Sequence, residues 1–210
     1  MFLRCYALYL AGEKWKEEEE IIEIEGPLGK SNAVNRELVS LERELSTLRK
    51  AGTIDPFCLY VYGLVLNEKG SENLARSVLV ESVNTYSWNW SAWSELQTLC
   101  TTIETLHALN LYNHWMKDFF LASAYQELRM HTECLAKYEY LQGTFTSSNY
   151  VQAQIAKAQY NLREFEQVEV IFEELLRSDP YRIEDMNMYS NVIYAKECFK
   201  LSGPPCFSNQ

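Results

Sequence analysis

The sequence predicts an all-α fold built from short helices that pair and repeat. Apolar residues recur at the three- and four-residue spacing of amphipathic helices. Only 5 prolines and 8 glycines occur in 210 residues, which disfavours a turn-rich β fold. One pattern of small and large side chains returns every 34 positions in the second half of the chain. These observations together predict a stack of helix pairs.

The stretch from residue 149 to residue 182 shows the pattern most fully. Counted from Asn149, Ala156 falls at position 8, Phe172 at 24 and Pro180 at 32. This is the spacing of the tetratricopeptide repeat, a helix-turn-helix of about 34 residues. The small residue lets the second helix approach, the ring fills the gap, and proline ends the pair. Because one pair cannot bury its own apolar face, we predict a tetratricopeptide-repeat α-solenoid, a right-handed superhelix of antiparallel helix pairs.

Other segments repeat the same slots at fixed offset. The predicted packing positions besides Ala156, Phe172 and Pro180 are Tyr62, Gly63, Ala75, Trp93, Leu96, Leu121, Ala122, Tyr125, Cys134, Tyr138, Ile155, Tyr189 and Ser190. Gln159 departs from the pattern, because its slot normally holds a large apolar side chain. Three successive repeats in register are difficult to obtain by chance.

The predicted organisation follows from this register. Residues 1–55 form a partial repeat, with an acidic insertion at about 12–31 and a long helix at about 32–50 that Gly52 ends. Complete repeats follow at 56–89, 115–148 and 149–182, and a shortened repeat occupies 90–114 because 101–114 lacks the alanine slot. The first helix of an incomplete repeat spans 183–199, where we expect exposed apolar surface, and 200–210 form a disordered tail.

The first 50 residues contain three patterns with more than one interpretation. Ala7 fits the small-residue slot, which places Tyr6 and Leu10 on the packing face. The glutamate run at 17–20 is typical of a solvated face, the alternative being a binding surface. The stripe of Val34, Leu38, Leu41, Leu45 and Leu48 favours packing within the chain over pairing with a partner helix.

Charge and cysteine content restrict the classes of partner and compartment. The formal net charge of −10 disfavours duplex nucleic acid and leaves basic peptide segments as candidate partners. The six cysteines are scattered without a CxxC pair, so we predict that their thiols are free and buried. Free thiols are typical of a reducing compartment, and we predict that the protein is located in the nucleus and cytoplasm. The apolar run that opens the chain is too short for a signal peptide, and no segment is apolar enough to span a membrane.

The sequence offers no catalytic motif, metal site or cofactor site. Cys100, His107 and His114 are spaced seven apart, two helical turns, which is too far for joint ligation of zinc. His131 and Cys134 are closer, but Cys134 takes the alanine slot and is interpreted as a buried packing residue. Three tryptophans at 88, 90 and 93 suggest either a ligand cage or packing in the core and between repeats, of which packing is favoured.

Several segments also resemble one particular family. They are YLAGEKWKEEE (9–19), GPLGK (26–30), LYVYGLVL (59–66), WNWSAWSEL (88–96), HWMKDFFLASAYQEL (114–128) and DPYRIEDMNMYSNVIYAKE (179–197). These are similar to the family of subunit eight of the anaphase-promoting complex, also called the cell division cycle protein twenty-three family. The resemblance covers nearly the whole chain up to Glu197, after which LSGPPCFSNQ leaves the family pattern.

The resemblance implies a non-catalytic scaffold subunit of a multisubunit ubiquitin ligase that acts on mitotic regulators. Its implied partners are the other subunits of that complex and Fizzy-type co-activators, whose groove in the family lies beyond Glu197. No binding residues are therefore carried over. Homodimerisation in the family uses its earliest repeats, which have no match here, so it is not carried over either.

An alternative function is a free-standing tetratricopeptide adaptor that binds a partner peptide. Adaptors of this type clamp a terminal carboxylate with lysine, arginine and asparagine on first helices. Lys157 and Asn191 sit on predicted first helices here, but such residues are sparse and the net charge is unfavourable for an acidic tail.

Overall fold

The computed structural model describes residues 1–24 and 33–202, and side chains within 1–21 and 33–197. The described residues form an all-α fold, which confirms the predicted class, and no strand occurs among them. The helices are α1 (Phe2–Ile24), α2 (Leu38–Lys50), α3 (Pro56–Glu68), α4 (Glu72–Thr85), α5 (Trp90–Thr98), α6 (Ile103–His107), α7 (Trp115–Glu127), α8 (His131–Thr144), α9 (Asn149–Asn161), α10 (Phe165–Ser178) and α11 (Met186–Ser202). No described helix meets the length and hydropathy that crossing a bilayer requires.

The chain divides into two compact units, Met1–Lys117 and Asp118 onward, and the division falls in the first turn of α7. Helices α3, α5, α7 and α9 begin at the first residues of the four repeats predicted from the sequence. The boundaries between repeats stay a prediction, since helix positions alone do not define them.

In the first unit, α3 is the central helix. It packs against α1, α2, α4 and α5. Every residue from Cys58 to Leu66 except Tyr60 is buried, so the helix is apolar nearly all round. It begins at Pro56 directly after Asp55, whose side chain accepts hydrogen bonds from the backbone N–H groups of Phe57 and Cys58, each at 3.0 Å. The sequence Asp-Pro thus provides both an N-cap and a first-turn proline.

The N-terminal region differs from the prediction. α1 does not end before Gly12 but continues to Ile24, so residues 12–24 are helical, while 25–31 of the predicted insertion lie outside the described residues. Ala7 and Leu10 are exposed, whereas Cys5 and Gly12 are buried. The packing face of α1 therefore lies on a different side of the helix from the predicted one, and it is set by contacts with α2 and α3.

The helix that follows is shorter than predicted. α2 begins at Leu38 instead of about residue 32, and the suggested caps Ser31 and Asn32 lie outside the described residues. Buried Asn35 lies just before the start of α2. Its side-chain oxygen accepts a hydrogen bond from the Glu37 N–H at 3.0 Å, and its side-chain nitrogen donates to the Glu13 carboxylate at 2.8 Å. A Cβ on Gly12 would lie 1.9 Å from the Asn35 side-chain oxygen, so the contact requires glycine.

The leucine stripe of α2 packs inside the chain, as predicted. Leu38, Leu41 and Leu45 are buried and Leu48 is half-buried. Val34 is 66% exposed because it precedes the helix and does not share its face. Gly52 follows α2 with φ 66°, a left-handed conformation that ends the helix.

The shortened repeat is completed by loop contacts. α6 has only five residues, and Thr102 and Thr105 form a capping box at its start. The segment after α6 is held by Asn84 of α4, which donates to the Asn110 carbonyl at 2.8 Å and accepts from the Tyr112 N–H at 2.9 Å. One asparagine amide thus pairs with two main-chain groups of this loop, two residues apart.

In the second unit, consecutive helices pack through two apolar clusters. One joins α7, α8 and α9 and contains Ala122, Cys134, Tyr138, Leu141, Val151, Ile155 and Ala158. The other joins α9, α10 and α11 and contains Ala153, Ala156, Val168, Phe172, Leu175 and Val192. α9 contributes to both clusters, and is therefore the central element of this unit.

The turns within the second unit repeat one another. Arg129 and Arg163 occupy the same place 34 residues apart, and both adopt left-handed φ, 59° and 65°. In each turn the next residue closes a hydrogen bond across the helix end: Met130 to Tyr125 at 2.8 Å and Glu164 to Gln159 at 2.9 Å. The sequence does not predict left-handed φ at either arginine, because this conformation is usually adopted by glycine.

The last described helix begins and ends three residues later than predicted. It was predicted within 183–199 but spans Met186–Ser202, so residues 200–202 are helical and not part of a disordered tail. Residues 203–210 of the predicted tail lie outside the described residues. α10 ends at Ser178, two residues before Pro180, as the repeat pattern predicts.

Candidate functional site

The histidines and cysteines considered for metal binding do not come together. Among the described residues, no group of three His, Cys, Asp or Glu side chains is arranged to hold a metal ion. His107 is exposed, while Cys100 is buried. The ring of His114 accepts a hydrogen bond from the Met116 N–H at 3.1 Å, and so caps the start of α7.

The described cysteines are buried free thiols. Cys5, Cys58, Cys100 and Cys134 are all buried and unbridged, as the sequence predicted. Burial raises the pKa of Cys58 to about 12, and its hydrogen bond to Asp55 adds to the effect. Burial also raises the pKa of Cys134 to about 11. Because the thiolate is the reactive form, these groups are suited to packing and not to nucleophilic chemistry.

The three tryptophans divide between core and surface. Trp93 is buried and donates from its ring N–H to the Ser87 carbonyl at 2.8 Å, as packing predicts. Trp88 and Trp90, predicted to pack between repeats, are 59% and 39% exposed. Trp88 meets the ring of Trp115 edge-on, with centroids 5.1 Å apart. Trp88 thus packs against the first residue of α7, while both Trp88 and Trp90 stay partly exposed because they precede or open α5.

A row of aromatic rings lies on the surface of the first unit. Phe2 stacks on Tyr6 and also contacts Phe57, with centroids 5.6 and 5.3 Å apart. Phe57 in turn contacts Tyr86 at 5.3 Å, and Tyr6 contacts Tyr60 at 6.4 Å. The rings of Phe57 and Tyr86 are 36% and 41% exposed. Exposed aromatic clusters of this kind are enriched in protein interfaces.

The glutamate run, residues 17–20, lies within the C-terminal part of α1. Glu17 and Glu18 are exposed, and Glu19 forms an ion pair with Arg36 at 2.6 Å. Lys16 lies between Glu13 and Glu68, at 3.5 and 3.4 Å. Surface pairs of this kind contribute little to stability, about 0–1 kcal/mol each. The solvated-face interpretation accounts for the run.

The second unit contains an open polar groove of about 360 Å³. It is lined by Gln126 of α7, Lys157, Tyr160 and Asn161 of α9, Asp185 before α11, and Asn187, Met188 and Asn191 of α11. Lys157 and Asn191, the two residues selected from the sequence as candidates for peptide binding, both line it. Sequence reasoning missed the three other amide side chains of the groove, those of Gln126, Asn161 and Asn187. A search for asparagine and glutamine on the predicted first helices would have found them.

A second depression, of about 330 Å³, lies on α11 itself. It is lined by Met186, Tyr189, Ser190, Ile193, Tyr194 and Glu197. Ser190 holds the same slot as buried Ala122 and Ala156 but is exposed. No described helix packs on this side of α11, which leaves Ile193 and Tyr194 37% and 71% exposed. The predicted apolar surface on this helix is present.

Comparison with known proteins decides the family. A family model described as anaphase promoting complex subunit 8 / Cdc23 matches residues 1–156, which is most of the chain. The chain belongs to the anaphase-promoting complex subunit 8/Cdc23 family. The resemblance noted in the sequence is thereby confirmed.

Similarity to individual members of the subunit 8/Cdc23 family supports the same assignment. Anaphase-promoting complex subunit 8 of Arabidopsis thaliana is 75% identical over 203 residues, which is 96% of this chain and 35% of that protein. Cell division cycle protein 23 homolog of Homo sapiens is 42% identical over 196 residues, 93% of this chain and 33% of that protein. The chain thus spans about a third of the length of these relatives.

The positions assigned to the repeat in this subunit 8/Cdc23 chain are mostly in the core. Those buried are Tyr62, Gly63, Ala75, Trp93, Leu96, Ala122, Cys134, Tyr138, Ile155, Ala156 and Phe172. Leu121, Tyr125 and Tyr189 are half-buried, while Pro180 and Ser190 are exposed. Tyr125 packs on the first cluster of the second unit and Tyr189 stacks on Phe172 with centroids 5.0 Å apart. Their assignment as repeat positions stays a prediction.

Proposed function

We propose that this chain acts as a non-catalytic scaffold segment of the anaphase-promoting complex, a ubiquitin ligase of mitosis and the cell cycle. The observation that carries the proposal is the 75% identity with the Arabidopsis thaliana subunit over 96% of the chain. On this proposal the chain works in the nucleus and cytoplasm. It contributes protein–protein contacts to ubiquitin conjugation and carries out no step of the transfer.

The surface chemistry supports a role in protein contacts. The rings of the aromatic row are partly exposed, because the helices of the first unit do not cover them. Tyrosine, tryptophan and phenylalanine supply large contact areas at low cost in side-chain entropy, which is why interfaces use them. The neighbouring surfaces are other subunits of the same complex. Fizzy-type co-activators are a further class of partner in the proposal, without an assigned site on this chain.

Recovery of the complex tests the proposal. The tagged full chain is added to a cell extract, and the bound fraction is probed with antibodies against several anaphase-promoting subunits. We expect these subunits to be recovered, and recovery to fall when Phe57 and Tyr86 are both replaced by alanine. Tyr140→Ala, at a 67% exposed ring of α8, is the matched control. A folded chain that recovers none of the subunits would refute the proposal.

A second candidate function is a free-standing adaptor that binds a partner peptide. The observation that favours it is the meeting of Lys157 and Asn191 in one groove. However, Lys157 forms an ion pair with Asp185 at 2.9 Å, so a terminal carboxylate would have to compete for it. Recovery of anaphase-promoting subunits supports the scaffold, whereas tight binding of an acidic tail alone would support the adaptor.

A further inference from the structure

Two large apolar side chains are almost fully exposed in the loop between α10 and α11. Tyr181 is 92% exposed and Ile183 is 86% exposed, more than any other large hydrophobic side chain in the part of the chain that the structure describes. A single apolar residue on a surface is ordinary, but two within three positions form a local patch. Such a patch is a surface that a second protein can cover.

Arg182, the residue between these two, is enclosed by the loop. Its side chain is only 8% exposed, and its guanidinium lies 3.4 Å from the Glu184 carboxylate and 3.5 Å from the Asp185 carboxylate. Its backbone N–H donates to the Asp179 carbonyl at 3.2 Å. Since Arg182 is enclosed and paired, it anchors the loop at its centre, while the side chains before and after it stay in solvent.

Asp185 fixes the end of the same loop. Its carboxylate lies 2.9 Å from the Lys157 ammonium group of α9 and is 19% exposed. Asp185 has a left-handed φ of 63°, and its carbonyl accepts from the N–H groups of Met188 and Tyr189 at 3.0 and 3.2 Å, where α11 starts. Aspartate is one of the few residues besides glycine that adopt this conformation readily. A loop that is fixed before binding loses little entropy when a partner covers it.

The exposed charge of this loop is negative. Arg182 is the single lysine or arginine in residues 179–185, and its side chain is enclosed. The Glu184 side chain, by contrast, is 83% exposed. The loop therefore presents two apolar side chains followed directly by a carboxylate. A complementary surface has an apolar pocket with a cation at its edge, because opposite charges face each other across specific interfaces.

We infer that this loop, residues 179–185, docks on a neighbouring subunit of the anaphase-promoting complex. Tyr181 and Ile183 enter an apolar pocket of that subunit, and Glu184 faces a lysine or arginine at the edge of the pocket. The inference rests on the proposed function, which supplies the class of partner. Tyrosine is enriched among the side chains that dominate binding energy, since its ring buries a large area while its hydroxyl stays at a polar edge.

Competition measures this contact. The tagged full chain is immobilised and recovers anaphase-promoting subunits from a cell extract, each detected with its own antibody. Untagged full chain is added in increasing amounts, and the concentration that halves the recovery is determined for every subunit. When Tyr181 and Ile183 of the competitor are both replaced by alanine, we expect this concentration to rise about tenfold for the subunit that receives the loop.

Further variants identify the chemistry of the contact. Tyr181→Phe and Ile183→Leu keep the apolar groups, so each competes nearly as well as the parent. Glu184→Lys places a like charge against the cation of the partner and weakens competition about fivefold. Tyr140→Ala, at a 67% exposed ring of α8, is the matched control and competes as the parent does. All these side chains are exposed, so folding is retained, and circular dichroism verifies it.

A photo-crosslinking amino acid locates the surface that receives the loop. Benzoylphenylalanine at position 181 retains an aromatic side chain and reacts under ultraviolet light with C–H groups that touch it. Mass spectrometry of the product is expected to map the crosslink to apolar residues of an anaphase-promoting subunit. The same amino acid at position 140 is expected to give no crosslink at that surface.

Each contrary result has a distinct meaning. Equal competition by the parent and the double alanine variant for every recovered subunit would overturn the inference and leave the proposed function standing. A crosslink from position 181 to a second copy of the chain would overturn it as well, and would assign the loop to self-association. If the folded parent recovered no anaphase-promoting subunit, the proposed function would fail, and the partner inferred for this loop would fail with it.

Discussion

Gly63 of α3 lies directly against the side chain of Leu79 in α4. A Cβ added to Gly63 would be 2.5 Å from Leu79 Cδ2 and 2.6 Å from its Cγ. Both residues are buried, and Leu79 is fully enclosed. The helix pair is therefore closed by a small residue opposite a large one, the relationship that the repeat pattern requires at these slots.

We predict that Gly63→Ala destabilises the first unit. The new methyl group overpacks the α3–α4 contact at a cost of about 1–3 kcal/mol, partly offset by the higher helix propensity of alanine, about 1 kcal/mol. Urea unfolding followed by circular dichroism is expected to show a net loss of about 1–2 kcal/mol.

A matched glycine distinguishes packing from propensity. A Cβ at Gly143 of α8 meets nothing within 4 Å, so Gly143→Ala gains helix propensity without a clash. Its stability is expected to be unchanged or higher. Adding Leu79→Ala to Gly63→Ala removes the clash, so the double variant loses less than the sum of the single losses. Additive losses would contradict a direct contact between the two residues.

Sequence reasoning succeeded where a packing contact has a residue signature. The helices α3, α5, α7 and α9 begin at the residues where the small-beside-large slots place the starts of repeats, because glycine or alanine opposite leucine or a ring is visible in one sequence. It also led to Lys157 and Asn191, which the structure brings into one groove. These contacts can be predicted from the periodicity of the sequence, because neighbouring helices contact each other at fixed residue intervals.

The prediction failed where the decisive contact is remote in sequence. The acidic insertion was predicted to begin at about Gly12, but Gly12 lies inside α1 and packs against Asn35, 23 positions later. Glutamate favours helices, so the acidic run continues α1 without a break. The groove amides Asn161 and Asn187 were missed for a similar reason: an exposed amide is ordinary in a helix until the neighbouring helices are in place.

The left-handed turn at Arg163 leads to a prediction of increased stability. A non-glycine residue at this φ costs about 1–2 kcal/mol, whereas glycine adopts it freely but loses about 0.5–1 kcal/mol of chain entropy on folding. The Arg163 side chain is exposed. We therefore expect Arg163→Gly to raise the free energy of unfolding by about 0.5–1 kcal/mol, measured by urea denaturation.

Position within the helix provides the control for this substitution. Glu173→Gly, at an exposed site inside α10, is expected to lose about 1 kcal/mol, since glycine is a poor helix former. The same change at Arg129, the equivalent turn, should reproduce the gain seen at Arg163. If glycine destabilised both turns, the arginine side chains would have to make stabilising contacts of their own.

The buried thiols are predicted to react only when the chain unfolds. In a background with Cys198 and Cys206 replaced by serine, four buried cysteines remain. With the pKa of Cys58 near 12 and that of Cys134 near 11, the thiolate fraction is very small at pH 8. Reaction with a chromogenic disulfide is expected to release no thiol equivalents in buffer and four in denaturant.

The dependence of this reaction on urea supplies a second test. Below the unfolding transition the labelling rate should follow the population of opened molecules, so it increases with the same denaturant dependence as unfolding. Rapid labelling of Cys58 in buffer, identified by mass spectrometry, would contradict the enclosed position of this residue. Asp55→Ala is expected to accelerate labelling at Cys58, because it removes the cap and frays the start of α3.

The cap at Asp55 predicts a stability that depends on pH. Burial alone would raise the pKa of Asp55, but hydrogen bonds from Cys58 and Phe57 outweigh it and lower the pKa below its ordinary value. The folded chain therefore favours the carboxylate, which contributes its full stabilisation above the ordinary carboxyl pKa of about 3.9. That contribution is lost as the pH falls through the lowered pKa.

Asp55→Asn isolates this effect, since asparagine also caps helices but does not titrate. The parent is expected to be the more stable at pH 7, and the difference in unfolding free energy should shrink as the pH falls below the ordinary carboxyl pKa of about 3.9. Glu174→Gln, at an exposed position of α10, controls for the loss of one negative charge. A difference between parent and Asp55→Asn that stayed constant down to pH 2 would mean that the carboxylate is not selectively stabilised by the start of α3.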